Sequence, residues 1–228
     1  MKKLFLFLLV AALMFSITPA MAAKIDLSGI QAQENLYTVD ISDDGDAAFI
    51  ESQLTAEERS FTHKYENSKL YSTTEFDVLI VDYQQSSNYP VFRLWVIYCA
   101  DNAYLNVDAI TFQVGKKQFT FSDVSDEDWL SYDKENGYME EMLIRFGEDN
   151  MDFLLAIEEA ITGKSETVEA LDEVEIKMVL HGKEDVVAEL GTGFLLDFMA
   201  LKSAWLELDG LDYIEDINGN DMSVTTIY

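Results

Sequence analysis

Two segments of the sequence are apolar at almost every position, and they constrain the fold more than any other feature. They are residues 76–83 (FDVLIVDY) and residues 91–99 (VFRLWVIYC). Short runs that are apolar on both faces are typical of strands in the interior of a packed sheet. We therefore predict a β-rich fold in which these two segments are central strands.

Other strands are predicted from the alternation of apolar and polar residues, the pattern of a strand with one buried face. The alternation is present at residues 36–41, 109–114, 118–122, 138–146, 174–180 and 186–190. The segment Gly115-Lys116-Lys117 separates two of these strands, and a short connection that contains glycine predicts a β-hairpin.

Helices are predicted mainly late in the chain. Phe153, Leu154 and Ile157 fall at helical spacing after Asn150, and residues 193–208 form a second, strongly apolar helical segment. A further helical piece is predicted around residues 54–64. The fold class that follows is mainly β: an antiparallel β-sandwich with two helices in the C-terminal half, α+β by element count. Residues 23–228 are expected to be a single domain with an acidic C-terminal tail.

The first 22 residues have the three parts of a secretory signal peptide. Lys2 and Lys3 provide the positive start, residues 4–15 are apolar, and Ala20-Met21-Ala22 is a small-residue cleavage site. The apolar run is shorter than the roughly 20 residues that a transmembrane helix needs. We therefore expect a secreted or periplasmic protein that is not held in a membrane after cleavage.

The charge of the chain limits its partners. The formal net charge is −28, and removal of Lys2 and Lys3 would leave 13 basic residues against 43 acidic ones, a net charge of −30. Nucleic acid and anionic lipid are excluded as partners because they would be repelled, whereas a cationic peptide or protein would be attracted. We predict a protein or another cationic ligand as the partner.

From about residue 77 to residue 207, the order of elements resembles the uncharacterised β-sandwich domains of bacterial secreted proteins and lipoproteins. The segments that carry the resemblance are Arg93-Leu94-Trp95 with Tyr98, Ile110-Thr111-Phe112, residues 115–121, Tyr138-Met139-Glu140, residues 153–157 and residues 174–178. The resemblance implies a fold and a compartment, and it implies no catalytic residue. The chain lacks the lipid-attachment cysteine of the lipoproteins, since its single cysteine is Cys99.

Residues 40–51 (DISDDGDAAFIE) offer the best candidate for a metal site. Oxygen ligands from Asp40, Ser42, Asp44 and Glu51, with Gly45 at the bend, match the spacing of a twelve-residue Ca²⁺ loop. Against this, the preceding segment alternates like a strand, and Asp-Gly between two apolar runs is typical of a hairpin turn. We predict a hairpin turn, and a calcium-binding module stays open as an alternative.

Two further acidic clusters have a structural interpretation. Asp123, Asp126, Glu127 and Asp128, together with Trp129 and Tyr132, are expected to lie in a solvated loop within residues 123–137. Residues 216–221 (DINGND) lack the later acidic residue of a Ca²⁺ loop and are predicted to form a turn. We assign neither cluster as a site.

No sequence motif indicates a reaction. His63 and His181 have neither the spacing of a zinc site nor a nucleophile turn beside them, and both are predicted to lie at the surface. Cys99, among aliphatic and aromatic neighbours, is predicted to be buried and inert. We predict no catalytic residue, no cofactor and no metal ligand, and hence a non-enzymatic binding or accessory module. A carboxylate-dependent extracytoplasmic hydrolase stays open, because 43 acidic residues make chance pairs of carboxylates unavoidable.

Overall fold

Strands dominate the computed structural model, which describes residues 25–65, 70–84, 88–122, 129–134, 137–164, 167–211 and 223–227. The predicted signal peptide, the acidic cluster at residues 123–128 and the turn predicted at residues 216–221 lie outside these residues. The described strands are β1 (Tyr37–Ile41), β2 (Ala47–Ser52), β3 (Thr73–Val81), β4 (Tyr89–Ala100), β5 (Ala109–Val114), β6 (Lys117–Ser122), β7 (Trp129–Lys134), β8 (Gly137–Arg145), β9 (Ile176–His181), β10 (Val186–Leu190) and β11 (Ser223–Ile227).

The strands form two antiparallel sheets. The larger sheet has the order β1-β2-β3-β4-β8-β7, and the smaller sheet has the order β10-β9-β5-β6-β11. β3 and β4 are the two apolar segments that the sequence predicts to be central, and they lie in the middle of the larger sheet. The prediction of a mainly β, antiparallel fold is therefore confirmed.

The hairpin predicted around Gly115 is also confirmed. β5 and β6 pair from Ala109 opposite Ser122 to Val114 opposite Lys117, so that Gly115 and Lys116 form a two-residue turn. Gly115 has a φ of +60°, a conformation that favours glycine. The same geometry explains why the sequence changes here from alternating apolar residues to Gly-Lys-Lys.

The helices match the prediction only in part. α2 (Met151–Ile161) and α4 (Thr192–Glu207) correspond to the two predicted helices. Two single-turn helices, α1 (Ser28–Gln31) and α3 (Val168–Leu171), are additional, so that not all helices lie in the C-terminal half. α3 begins where the Thr167 side chain accepts a hydrogen bond from the Ala170 N–H. None of the helices in the described part of the chain has both the length and the hydropathy needed to cross a bilayer.

The helical piece predicted around residues 54–64 is wrong. Turns occupy the start of this segment, and Ser60 then forms an isolated β-bridge with Thr73. The Phe61 N–H donates to the Ser72 carbonyl at 2.9 Å. The segment therefore continues the edge of β3 beyond the end of β2, and pairing with β3 replaces helical hydrogen bonds.

One cluster of buried side chains includes residues from both sheets and from α2 and α4. On the larger sheet, the rings of Phe76 and Phe92 stack with centroids 5.3 Å apart, and Phe92 stacks on Trp205 of α4 at 5.6 Å. On the smaller sheet, Phe112 contacts Phe153 of α2 at 4.8 Å. α4 is also tied to the larger sheet because the Trp205 Nε1–H donates to the Pro90 carbonyl at 3.2 Å.

Candidate functional site

A cleft of about 270 Å³ lies on the face of the larger sheet opposite the core. Its lining combines acidic, basic and aromatic side chains from four adjacent strands and from the segment that follows β2. The strands contribute Phe49 and Glu51 of β2, Glu75 and Asp77 of β3, Arg93 and Trp95 of β4, and Glu141 of β8. The segment after β2 contributes Arg59. We call this surface the acidic cleft.

The register of the strands explains why these residues meet. Glu51 lies opposite Asp77, and Asp77 lies opposite Arg93. Because side chains alternate between the two faces of a strand, residues two positions apart share a face. The intervening residues of β3 and β4, Phe76 and Leu94, are fully buried in the core. Alternation therefore sends the apolar residues inward and collects the charged residues in the cleft.

Arg93 is held firmly in the acidic cleft. Its Nε donates to Asp77 Oδ1 at 2.7 Å and its Nη2 donates to Asp77 Oδ2, which makes a two-pronged ion pair. The Arg93 and Asp77 side chains are only 8% and 6% exposed. The guanidinium carbon lies 5.7 Å from the Phe49 ring centroid and 5.6 Å from that of Trp95. The cleft thus already surrounds one cation with a carboxylate and two aromatic rings.

Arg59 occupies an opening in the sheet. β2 pairs with β3 only as far as Glu51 opposite Asp77, so that the ladder is interrupted beside Phe76. The Phe76 N–H donates instead to Oδ2 of Asp197, a fully buried residue of α4, at 2.6 Å. Arg59 reaches Glu75 of the cleft at 3.3 Å and Asp197 at 3.9 Å. One guanidinium therefore faces both a cleft carboxylate and a buried carboxylate.

Negative charge is in excess in the acidic cleft, where four carboxyl groups meet two guanidinium groups. Partial burial, with added repulsion from Asp77 and Glu75, raises the pKa of Glu51 above its ordinary value, and Arg59 opposes the shift. Burial likewise raises the pKa of Asp197 to about 6, although the Ser52 hydroxyl, the Phe76 N–H and Arg59 act against it. Glu51 is therefore a carboxylate whose charge is incompletely compensated.

The carboxyl groups of the acidic cleft differ in what they could do chemically. A hydrolase would need two carboxyl groups in a cleft, one acting as acid and the other as base or nucleophile. Glu51 has the raised pKa of a general acid. The neighbouring carboxylates Asp77 and Glu75 are already engaged in ion pairs with Arg93 and Arg59, respectively. An added cation, by contrast, would relieve the repulsion at Glu51 directly.

The segment at residues 40–51 forms the predicted hairpin turn between β1 and β2. The Ser42 hydroxyl donates to Asp44 Oδ1 at 2.7 Å, and the Asp46 N–H donates to the same oxygen at 3.1 Å. These two donors hold the pKa of Asp44 below its ordinary value. Glu51 lines the acidic cleft and does not close the turn. No three His, Cys, Asp or Glu side chains among the described residues are arranged to hold a metal ion.

We expect Ca²⁺ and Mg²⁺ to stabilise the protein equally and modestly, by screening its negative charge. A specific site would add about 2.7 kcal/mol at a Ca²⁺ concentration 100 times the dissociation constant. Mg²⁺ at equal ionic strength is the comparison, because it gives up its water reluctantly and demands octahedral geometry. Thermal unfolding should give the same shift for both ions, and the shift should persist in Asp44→Ala. Stabilisation by Ca²⁺ alone that Glu51→Gln removes would establish the calcium loop.

The predictions for single histidine and cysteine residues have different outcomes. Cys99 is 1% exposed, which confirms that it is buried. The surface position predicted for His63 is wrong: its exposure is 9%, its Nε2 lies 2.8 Å from the Ser72 hydroxyl, and its ring packs on Tyr98 at 4.7 Å. The neighbours of His63 in sequence are mostly polar, and they gave no indication that its side chain is buried. His181 is partly exposed and contacts Asp185 and Thr111 at 2.9 Å.

The sequence singled out Glu51 only as a possible calcium ligand, and it did not bring Glu51 together with the other residues of the acidic cleft. A signal was present nevertheless, because Asp77 and Arg93 each stand in the middle of an apolar strand. Charged residues are rarely buried unless they are paired, so that one acid and one base in adjacent central strands indicate a buried ion pair. The loop predicted for Trp129 and Tyr132 is wrong, because both residues lie in strand β7.

No protein-family model, no curated protein and no solved structure matches this chain. The similarity to β-sandwich domains of bacterial secreted proteins and lipoproteins over residues 77–207 therefore stays a prediction from sequence. The geometry of the acidic cleft is the basis on which a function can be proposed.

Proposed function

We propose that the protein is an exported, non-enzymatic binding module that holds a cationic group of its ligand in the acidic cleft. The observation that carries the proposal is the excess of carboxylates over guanidinium groups in a cleft with aromatic walls. Carboxylates attract a cation, and the faces of Trp95 and Phe49 add cation–π attraction. Arg93 illustrates the chemistry, since these same groups surround its guanidinium.

The net charge of the whole chain supports a cationic ligand. A protein with a formal charge of −28 attracts positive ligands over long distances, and a partly buried cleft of the same sign concentrates them. The raised pKa of Glu51 gives the local reason, because a bound cation would offset the repulsion that Asp77 and Glu75 exert on Glu51. A basic segment of a protein or peptide carries suitable groups.

We also propose that the two sheets pack as a sandwich, as the resemblance to exported bacterial domains implies. The shared core supports this, since Phe112 of the smaller sheet lies 6.5 Å from Phe194 of α4, and Phe194 lies 5.1 Å from Phe76 of the larger sheet. The signal-like residues 1–22 support secretion or a periplasmic location. In this arrangement, the acidic cleft lies on an outer face of the sandwich.

Binding of a tri-arginine peptide with blocked ends tests the proposed function. We expect the peptide to shift the NMR signals of Glu51, Glu75 and Trp95, and a tri-glutamine peptide to shift none of them. Binding should weaken as salt is added, because the attraction between charges is screened. Glu51→Gln should lower the affinity about fivefold, since it removes one uncompensated charge.

The matched control is Glu189→Gln in β10. This substitution removes one carboxylate from the other sheet, and the Glu189 side chain is 82% exposed. It should leave the affinity for tri-arginine unchanged, because its charge is remote from the cleft. Equal losses in Glu51→Gln and Glu189→Gln would mean that only the overall charge attracts the peptide. That result, or the absence of binding, would contradict the proposed site.

A further inference from the structure

The two arginines of the acidic cleft are held in different ways. Arg93 makes a two-pronged pair with a single carboxylate. Arg59 instead approaches two carboxylates with separate nitrogens, at 3.3 Å from Glu75 and 3.9 Å from Asp197. Its buried Nε–H has no hydrogen-bond acceptor among the described residues. The Arg59 guanidinium is therefore shared between two carboxylates, and it forms with neither of them the two-pronged pair that holds Arg93.

Asp197 is enclosed by three segments of the chain. β2 supplies the Ser52 hydroxyl, which donates to Asp197 Oδ1, and β3 supplies the Phe76 N–H. The charged groups that act on Asp197 are Arg59 from the segment after β2 and Glu75 from β3. Arg59 is the single cation among these groups. The ionisation state of Asp197 must therefore influence how strongly Arg59 interacts with Glu75.

We propose that Arg59 couples Asp197 to the acidic cleft, so that protonation of the buried carboxyl group and binding of a cation in the cleft oppose each other. This inference rests on the proposed function of the cleft. When Asp197 is ionised, it takes part of the attraction of Arg59. When Asp197 is protonated, the whole charge of Arg59 acts on Glu75 and Glu51, which leaves less negative charge for a ligand.

The coupling works in both directions. A ligand cation that pairs with Glu75 displaces Arg59 toward Asp197, which favours the ionised form of that carboxyl. Linkage then requires the ligand to lower the pKa of Asp197 by the same free energy with which protonation weakens the ligand. Affinity should fall as the pH is lowered through about 6, where Asp197 takes up its proton. Protonation of Glu51 acts in the same direction, so the experiment must separate the two groups.

The direct test is the titration of the Asp197 carboxyl carbon by NMR, with and without saturating tri-arginine peptide. We expect the peptide to lower the pKa of Asp197. Near neutral pH, Asp197→Asn alone should lower the affinity for the peptide about fivefold relative to wild type, which lies within the usual range for coupling between sites. Asp197→Asn should also remove the part of the pH dependence that Asp197 contributes, leaving that of Glu51.

Arg59→Gln identifies the route of the coupling. If Arg59 carries it, Asp197→Asn should have little further effect on affinity in the Arg59→Gln background, a clear departure from additivity. Equal effects of Asp197→Asn in both backgrounds would overturn the role of Arg59. An Asp197 pKa that does not change when the peptide binds to the cleft would overturn the coupling itself while leaving the proposed function intact. The titration requires no variant, so it remains informative if Arg59→Gln fails to fold.

Discussion

Asp77→Asn lowers the free energy of unfolding by about 3 kcal/mol, the expected cost of leaving a buried charge without its partner. Asparagine has nearly the size and shape of aspartate, so the substitution removes the charge and creates no cavity. The guanidinium of Arg93, only 8% exposed, then lacks the carboxylate that accepts both of its hydrogen bonds. Trp95 also loses a charged acceptor for its Nε1–H, which lies 3.2 Å from Asp77 Oδ2. Chemical denaturation measures the loss.

The double variant Asp77→Asn/Arg93→Gln distinguishes this cause from general damage to the strands. If the uncompensated charge is responsible, removal of both charges should restore much of the lost stability, since the large cost of breaking a buried ion pair comes from the charge that is left without its partner. Glu189→Gln, which breaks an exposed contact with Lys177, should leave unfolding unchanged. A double variant less stable than Asp77→Asn would show that the contacts of Arg93 with Phe49 and Trp95 matter more than its charge.

The strands of the interior were predictable because each is a short apolar run rich in β-branched and aromatic residues, a composition that favours a strand over a helix. Residues 76–83 and 91–99 are apolar on both faces, and a hairpin of alternating residues around Gly115 has few alternatives. β7 is different, because its residues follow an acidic run and resemble a loop. β7 pairs with β8 from Trp129 opposite Met142 to Lys134 opposite Gly137. The strand is therefore defined by its partner β8 and not by a pattern within its own sequence. Sequence periodicity alone does not contain that information.

The acidic cleft was beyond sequence reasoning for a related reason. Asp77 stands out in its apolar strand, but a chain with forty-three acidic residues gives no means of choosing Glu51 and Glu75 as its neighbours. Their proximity follows from the relative register of β2, β3 and β4, and a shift of one residue would turn each side chain to the opposite face. The opening at Phe76, which gives Arg59 access to Asp197, arises only because the chain leaves the ladder after Glu51. Both features are products of tertiary pairing.

Gly193→Ala destabilises the protein, although helix propensity alone predicts the opposite. Gly193 lies in the first turn of α4, where alanine is usually better than glycine by up to about 1 kcal/mol. A Cβ atom at this position would lie 1.8 Å from the Glu58 carbonyl oxygen, so the helix or the turn before Ser60 must move. Overpacking of this kind costs about 1–3 kcal/mol or more, and the obstacle here is backbone that cannot rotate away. We expect a net loss of unfolding free energy in chemical denaturation.

Gly191→Ala is the matched control, two residues earlier at the N-cap of α4. No atom lies within 4 Å of a Cβ built there, and its φ of −83° is accessible to alanine. This substitution should change stability only slightly, through the weaker capping of alanine. Because the turn that Gly193 contacts carries Arg59, Gly193→Ala should also disturb the ion pairs of Arg59 with Glu75 and Asp197, whereas Gly191→Ala should not. A Gly193→Ala protein as stable as wild type would mean that α4 does not pack closely against this turn. The position of Arg59 in the opening of the sheet would then not depend on contact with α4.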